Sequence, residues 1–190
     1  MSGVSADGQI IRLLLRYHSA QKPRVCSPQE VHMAHDTSTV TTHNQGSRGE
    51  MAHDEVTAFF DRRQAAYDNL DAAALASDYA PDCVVDSPMG GTHQGRAAIQ
   101  TVLQAFFNAF RDMKTRTESL VIDGHHVAQV LDIEGTHIGV FLGLPPTGKP
   151  FRFVAVLVFD LQDRQIVRER RIYDFTGLLV QIGALKAKPV

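Results

Sequence analysis

The chain has 190 residues, 44% of them hydrophobic and 21% charged, with a formal net charge of -2. That size and balance fit one soluble globular domain with room for a tail, and the near-neutral charge gives no electrostatic footprint for nucleic acid. No apolar run approaches the roughly 20 residues that span a bilayer. Two cysteines, Cys26 and Cys83, do not make a disulfide framework, so free thiols in a reducing, cytoplasmic setting are expected.

Residues 1–50 differ in character from the rest of the chain. An apolar cluster, IIRLLLR, is interrupted by Arg12 and Arg16, which argues against a secretory core. The stretch after it is rich in Ser, Thr, His, Asn and Gln without periodicity, as in a disordered extension. His32, His35 and His43 fall in this polar stretch, where solvated side chains are expected rather than a metal site. Met51 directly precedes a clean helical pattern and is a candidate start. The organised domain is expected over 51–185, with 186–190 a short tail.

A helix is predicted over 54–69, with Val56, Phe59, Phe60 and Tyr67 on one stripe and Asp54 and Glu55 in the first turn. A second short helix over 71–79 stops before Pro81, because the residue before proline disfavours helix. CVVDSPMGG is then a short strand broken by a turn. The clearest pattern lies at 96–111, where Ile99, Val102, Leu103, Phe106, Phe107 and Phe110 keep helical spacing without a miss. At roughly 1.5–3 kcal/mol per large side chain, that face could supply on the order of 10 kcal/mol of gross burial.

From Thr115 the period changes to two. TRTESLVIDG and HHVAQVLDIEGTH read as a hairpin about an Asp-Gly turn. FRFVAVLVFDL is apolar on both parities and predicts a central strand covered on both sides. A tight turn leads to IVRERRIYD, and FTGLLVQIG closes as a short helix with Gly183 as its cap. Helices succeeded by a strand meander indicate α+β rather than parallel α/β. Helices on one face of a strongly curved sheet would leave a cone-like hollow. No internal repeat or glycine-rich phosphate loop is present.

The string GTHIGVFLGLPPTGKP, the strand after it, IVRER and DFTGLLVQIG together resemble the SnoaL-like polyketide cyclase branch of the nuclear-transport-factor-like superfamily. The upstream FFDRRQAAYDNLDAAALASDYAPDCVVDSP and GGTHQGRAAIQTVLQAFFNAF fit that family's opening helices and short strand. The resemblance covers about residues 51–185. It implies a cone-shaped α+β barrel with an apolar pocket, usually a homodimer, and metal-free, cofactor-free ring closure of polyketide esters by a pocket Asp. Other branches of the superfamily isomerise steroids, open epoxides or only bind ligands. Family members often carry His-Trp-Asp after the Glu of the last strand, whereas here Glu169 is succeeded by Arg170, Arg171, Ile172 and Tyr173.

Asp174 ends the last strand beside Phe175. An apolar cavity mouth would raise its pKa toward that of a general base, and it is equally placed to cap the closing helix. His137 shares strand parity with Gln129, Leu131 and Ile133, unless Gly135 introduces a bulge. It is a candidate electrophilic partner or a structural histidine bonded to turn backbone. Glu169, Arg171 and Tyr173 share one face of the last strand; Arg168, Arg170, Ile172 and Asp174 share the other, where Arg170 could couple to Asp174. Alternating charges of this kind predict a solvated or dimer-facing surface. Tyr67, Asp86, Phe106 and Tyr173 are candidate substrate contacts. His93, His125 and His126 are expected in exposed turns, and no grouping has metal-ligand spacing.

The resulting expectation is a cyclase- or isomerase-type enzyme, without cofactor or metal, acting on an apolar carbonyl compound of polyketide or ester type. Asp174 would be its acid/base and His137 its partner. The rival is a non-catalytic ligand-binding or dimeric interaction domain on the same fold.

Overall fold

A computed structural model describes residues 51–186. The expected extension over 1–50, with Cys26 and the three histidines of its polar stretch, lies outside the described residues, as do the last four. All described residues belong to one of the chain's two units, Gly49–Val190.

The element order is helix α1 (His53–Asp68), helix α2 (Ala72–Ser77), strands β1 (Tyr79–Ser87) and β2 (Gly91–Gln94), helix α3 (Arg96–Ala109), strands β3 (Lys114–Asp123), β4 (His126–Thr136), β5 (Pro150–Gln162) and β6 (Gln165–Ile172), and helix α4 (Phe175–Gln181). The six strands form one curved, unclosed sheet in the order β2-β1-β6-β5-β4-β3. Neighbours are antiparallel except β1 and β6, which run parallel. The α+β expectation holds. No described helix is long and apolar enough to cross a membrane.

Helix α1 starts where Glu55 accepts a hydrogen bond from the Ala52 amide at 3.0 Å, which satisfies one of the orphan donors of the first turn. It buries the expected Val56, Phe59, Phe60 and Tyr67, together with Arg63. Asp71 caps α2 by accepting from the Ala74 amide at 2.9 Å. That helix ends at Ser77, and the chain is already a strand at Tyr79. Pro81 lies within the register shift between Tyr79 and Val84, where its missing N–H costs the ladder nothing.

Helix α3 buries Ile99, Leu103 and Phe107, and Phe110 caps it fully buried. After β4 the chain crosses the end of this helix so closely that the amides of Ile138 and Gly139 both donate to the Ala109 carbonyl, at 3.1 and 2.9 Å. A Cβ on Gly139 would stand 2.1 Å from the Asn108 carbonyl oxygen. That explains the second glycine of GTHIG. The β3/β4 hairpin pairs Asp123 with His126 and turns on Gly124-His125. The β5/β6 hairpin turns on Asp163-Arg164, both in the left-handed region that a tight two-residue turn demands.

Gly135 makes no bulge, since its pairing with Phe151 continues an unbroken β4/β5 register, so the expected strand parity runs through it. One expectation changes. Strand β5 is central in the sheet, yet among the described residues only one of its faces is covered. Phe60 and Phe110 reach Phe159 and Phe151 on the inner side, while Val154 is 49% and Val158 36% exposed on the other. Ile172 of β6, 50% exposed, extends this outward apolar strip.

Candidate functional site

A hollow of about 60 Å³ lies between the helices and the inner face of the sheet. Helix α3 lines it with Val102, Leu103, Phe106 and Phe107, β4 with Leu131 and Ile133, and β5 with Phe153, Ala155 and Leu157. The two side chains of the α3 stripe that are only partly buried, Val102 and Phe106, are both in this wall. The polar side chains of the lining are Tyr67, Thr115, Arg171 and Tyr173. Pockets for drug-sized ligands hold roughly 300–1,000 Å³, so this hollow accepts only a small ring or chain end unless its aromatic walls move.

Arg171 is the cation of that lining. Its Nε donates to Glu169 Oε1 at 2.7 Å and its Nη2 to Oε2 at 3.1 Å. Nη1 has no acceptor among the described residues. Glu169 is fully buried and also accepts a short hydrogen bond from the Tyr79 hydroxyl. Arg63, 1% exposed, in turn donates to Tyr79 Oη at 3.3 Å and to Asp78 Oδ2 at 3.0 Å. Arg62 holds the other Asp78 oxygen at 2.8 Å from the surface. A chain of polar contacts thus runs from α1 and α2 under the sheet to the hollow. Buried charges persist only when paired and hydrogen-bonded, and here each arginine has its carboxylate.

The titration behaviour reflects that pairing. Burial alone would raise the Glu169 carboxyl, but the Arg171 charge and the hydrogen bonds from Arg171 and Tyr79 outweigh it and hold it below the usual range. Burial works to lower Arg171, and Glu169 overrides it so that the guanidinium stays charged. Burial pushes both Tyr67 and Tyr79 upward, keeping the phenols protonated donors.

The expected site residues separate into two groups. Tyr67, Phe106 and Tyr173 line the hollow, and the Tyr173 ring packs on Phe153 with centroids 5.1 Å apart. Asp86 does not. It sits on the other face of β1, bonded to Thr92 Oγ1 at 2.8 Å and Arg168 at 3.2 Å. Asp174 is exposed and accepts from the Gly177 amide at 2.7 Å as the N-cap of α4, on the outward parity of β6. It lies outside the lining, and no ion pair joins it to Arg170 among the described residues. His137 is fully buried, with Nδ1 3.1 Å from Thr147 Oγ1, and packs between Phe110 and Phe141 away from the hollow. His93 bonds the Met89 carbonyl at 3.3 Å from strand β2, and His126 pairs with Asp160 at 2.7 Å. No group of three metal-ligating side chains occurs among the described residues.

Of the two charged faces of β6, for which a solvated or dimer-facing surface was expected, the one carrying Glu169 and Arg171 is the inner one. Glu169 pairs across the sheet with Phe159, which is fully buried, and cross-strand partners share a face. Arg63 was legible too, because it stands four residues from both Phe59 and Tyr67 on the apolar stripe of α1.

An open cone of this kind, with helices over one face of a curved sheet and an apolar hollow within, is a nuclear-transport-factor-like α+β barrel. The model of SnoaL-like polyketide cyclases matches residues 57–182, and the chain belongs to that family. Among solved structures it is similar to AclR from Streptomyces galilaeus, a candidate hydroxylase, at 24% identity over 73% of this chain and 87% of that one, with a TM-score of 0.63. TsrD from Streptomyces laurentii is 22% identical over 72% of this chain and all of its own, with a TM-score of 0.64. IdmH from Streptomyces antibioticus, a candidate polyketide cyclase, is 29% identical over 67% and 97%, with a TM-score of 0.56. A search of curated proteins finds no match.

Proposed function

We propose that the hollow binds a small apolar carbonyl compound, of polyketide or ester type, with its oxygen directed at Arg171 between the Tyr67 and Tyr173 phenols. The observation that carries this reading is Arg171 in the lining of a largely apolar hollow, its Nε and Nη2 committed to Glu169 and its Nη1 without an acceptor among the described residues. A donor fixed in a low-dielectric wall polarises a carbonyl and favours its enolate more strongly than the same group in water. Family membership supports a cyclase- or isomerase-type reaction built on that polarisation. Native mass spectrometry of the protein from its source should reveal a retained small molecule. Arg171→Met should release it; retention in the variant would defeat the reading.

Non-catalytic binding is the second reading, because no carboxylate or imidazole is among the residues that line the hollow. Asp174 as acid/base would require α4 to open from its capped position. Deuterium uptake next to the carbonyl of a bound compound, tracked in wild type and Asp174→Asn, distinguishes turnover from binding. The outward strip of Val154, Val158 and Ile172 favours a homodimer closed sheet to sheet. Val158→Arg should then shift sedimentation from dimer to monomer.

A further inference from the structure

We infer that Glu169 makes the hollow selective for uncharged ligands over carboxylates of the same shape. The inference rests on the hollow being the binding site proposed above. Four ionised side chains stand behind its polar edge. Arg171 and Arg63 carry positive charge, Glu169 and Asp78 negative charge, and all four are buried or nearly so, with side-chain exposures of 12%, 1%, 0% and 9%. Arg62 reaches Asp78 from the surface and, at 62% exposure, lies outside this buried set. The buried set is therefore balanced before any ligand arrives.

That balance decides what the free Nη1 can accept. A neutral carbonyl takes its hydrogen bond and leaves the balance intact. A carboxylate would bring a second anion to an arginine already gripped through Nε and Nη2 by Glu169. The three apolar walls supply no donor, Thr115 adds only a neutral hydroxyl, and like charges in a low-dielectric site repel strongly. The Tyr67 and Tyr173 phenols in the lining are neutral and do not change the sum. Glu169 touches no ligand in this arrangement. It acts by setting the net charge that the ligand meets.

Acetophenone and benzoate form a matched pair, since a methyl group in one replaces a charged oxygen in the other. Calorimetric titration of the full chain at neutral pH should give acetophenone about tenfold or more tighter binding than benzoate. Desolvation disfavours benzoate in any apolar hollow, so the decisive measurement is the change on Glu169→Gln. That substitution leaves the buried set with one excess positive charge and should raise benzoate affinity about tenfold while leaving acetophenone nearly unchanged. The double variant Glu169→Gln/Arg63→Gln restores balance while leaving Arg171 to the ligand, and should return the preference for acetophenone, which guards against misreading a poorly folded single variant. Equal wild-type affinities, or a folded Glu169→Gln with an unaltered preference, would overturn the role of Glu169 alone. Binding of neither probe, or binding that survives filling of the hollow by Ala155→Leu, would overturn the assignment of the hollow and the selectivity with it.

Discussion

Arg171 holds Glu169 from two residues along the same strand through two hydrogen bonds of 2.7 and 3.1 Å. With Tyr79 on the other side, the carboxylate is fully buried yet ionised. Its folded pKa lies below the ordinary value, so the unfolded chain takes up the proton first as pH falls. The stabilisation from Glu169 is therefore complete above the ordinary glutamate range and drains away on acidification through it, toward the lower folded value. Denaturant unfolding at a series of pH values should show this loss in wild type and a flatter acid limb in Glu169→Gln. At neutral pH the variant should be less stable by about 3–5 kcal/mol, because Arg171 keeps a buried charge without its partner.

His137 gives a separate acid response. Burial pushes its imidazole below the ordinary histidine pKa, and the Gly139 backbone only partly opposes this. Thr147 gives its hydroxyl hydrogen to the Ile182 carbonyl at 2.8 Å, so His137 Nδ1 is the donor to Thr147, and Nε2, buried without a partner among the described residues, carries no proton. The unfolded chain gains the proton first here as well, and stability falls as pH drops below the ordinary histidine range. His137→Gln should remove that component of the pH profile while leaving the Glu169 component in place.

Asp174 should behave as a cap. Asp174→Ala is expected to cost about 1 kcal/mol, with Asp174→Ser recovering most of it, and neither should alter probe affinity in calorimetry. A tenfold affinity loss with α4 intact by NMR would return Asp174 to the site.

Gly139→Ala should destabilise the fold by about 1–3 kcal/mol, read from the urea midpoint, since the added methyl meets the Asn108 carbonyl at a distance no contact tolerates. Gly143→Ala, with open space around its Cβ but a φ of 80°, should show only the smaller cost of a left-handed alanine. Equal costs would mean that the crossing over α3 is looser than it stands here.

The periodicities exposed most of the scaffold. The α3 stripe, the Asp-Gly hairpin and the closing helix all appear where apolar spacing and turn residues put them. Strand parity also divided β6 correctly into two faces. It could not say which face is inward, because charged residues stand on both. The apolar strip formed by Val154, Val158 and Ile172 made the outer face look like core, while Glu169 and Arg171 made the inner face look like surface. The missing information was the β5/β6 register, which sets Glu169 opposite Phe159. Asp174 shows the same ambiguity: its residue type fits both a base and a cap, and the capping contact to the Gly177 amide became visible only with the fold.

The parallel pairing of β1 with β6 has a consequence for the order of folding. The β3-to-β6 meander joins neighbours in sequence, but Tyr79 meets Glu169 across 90 positions of chain. Closing so long a loop is entropically costly and slow relative to zipping hairpins. The hairpins can form early, while the polar edge of the hollow assembles only when the final strand docks. Until β6 docks, the Tyr79 hydroxyl has no Glu169 to meet, so a truncation ending before Gln165 should remain bound to a chaperone that releases the full chain.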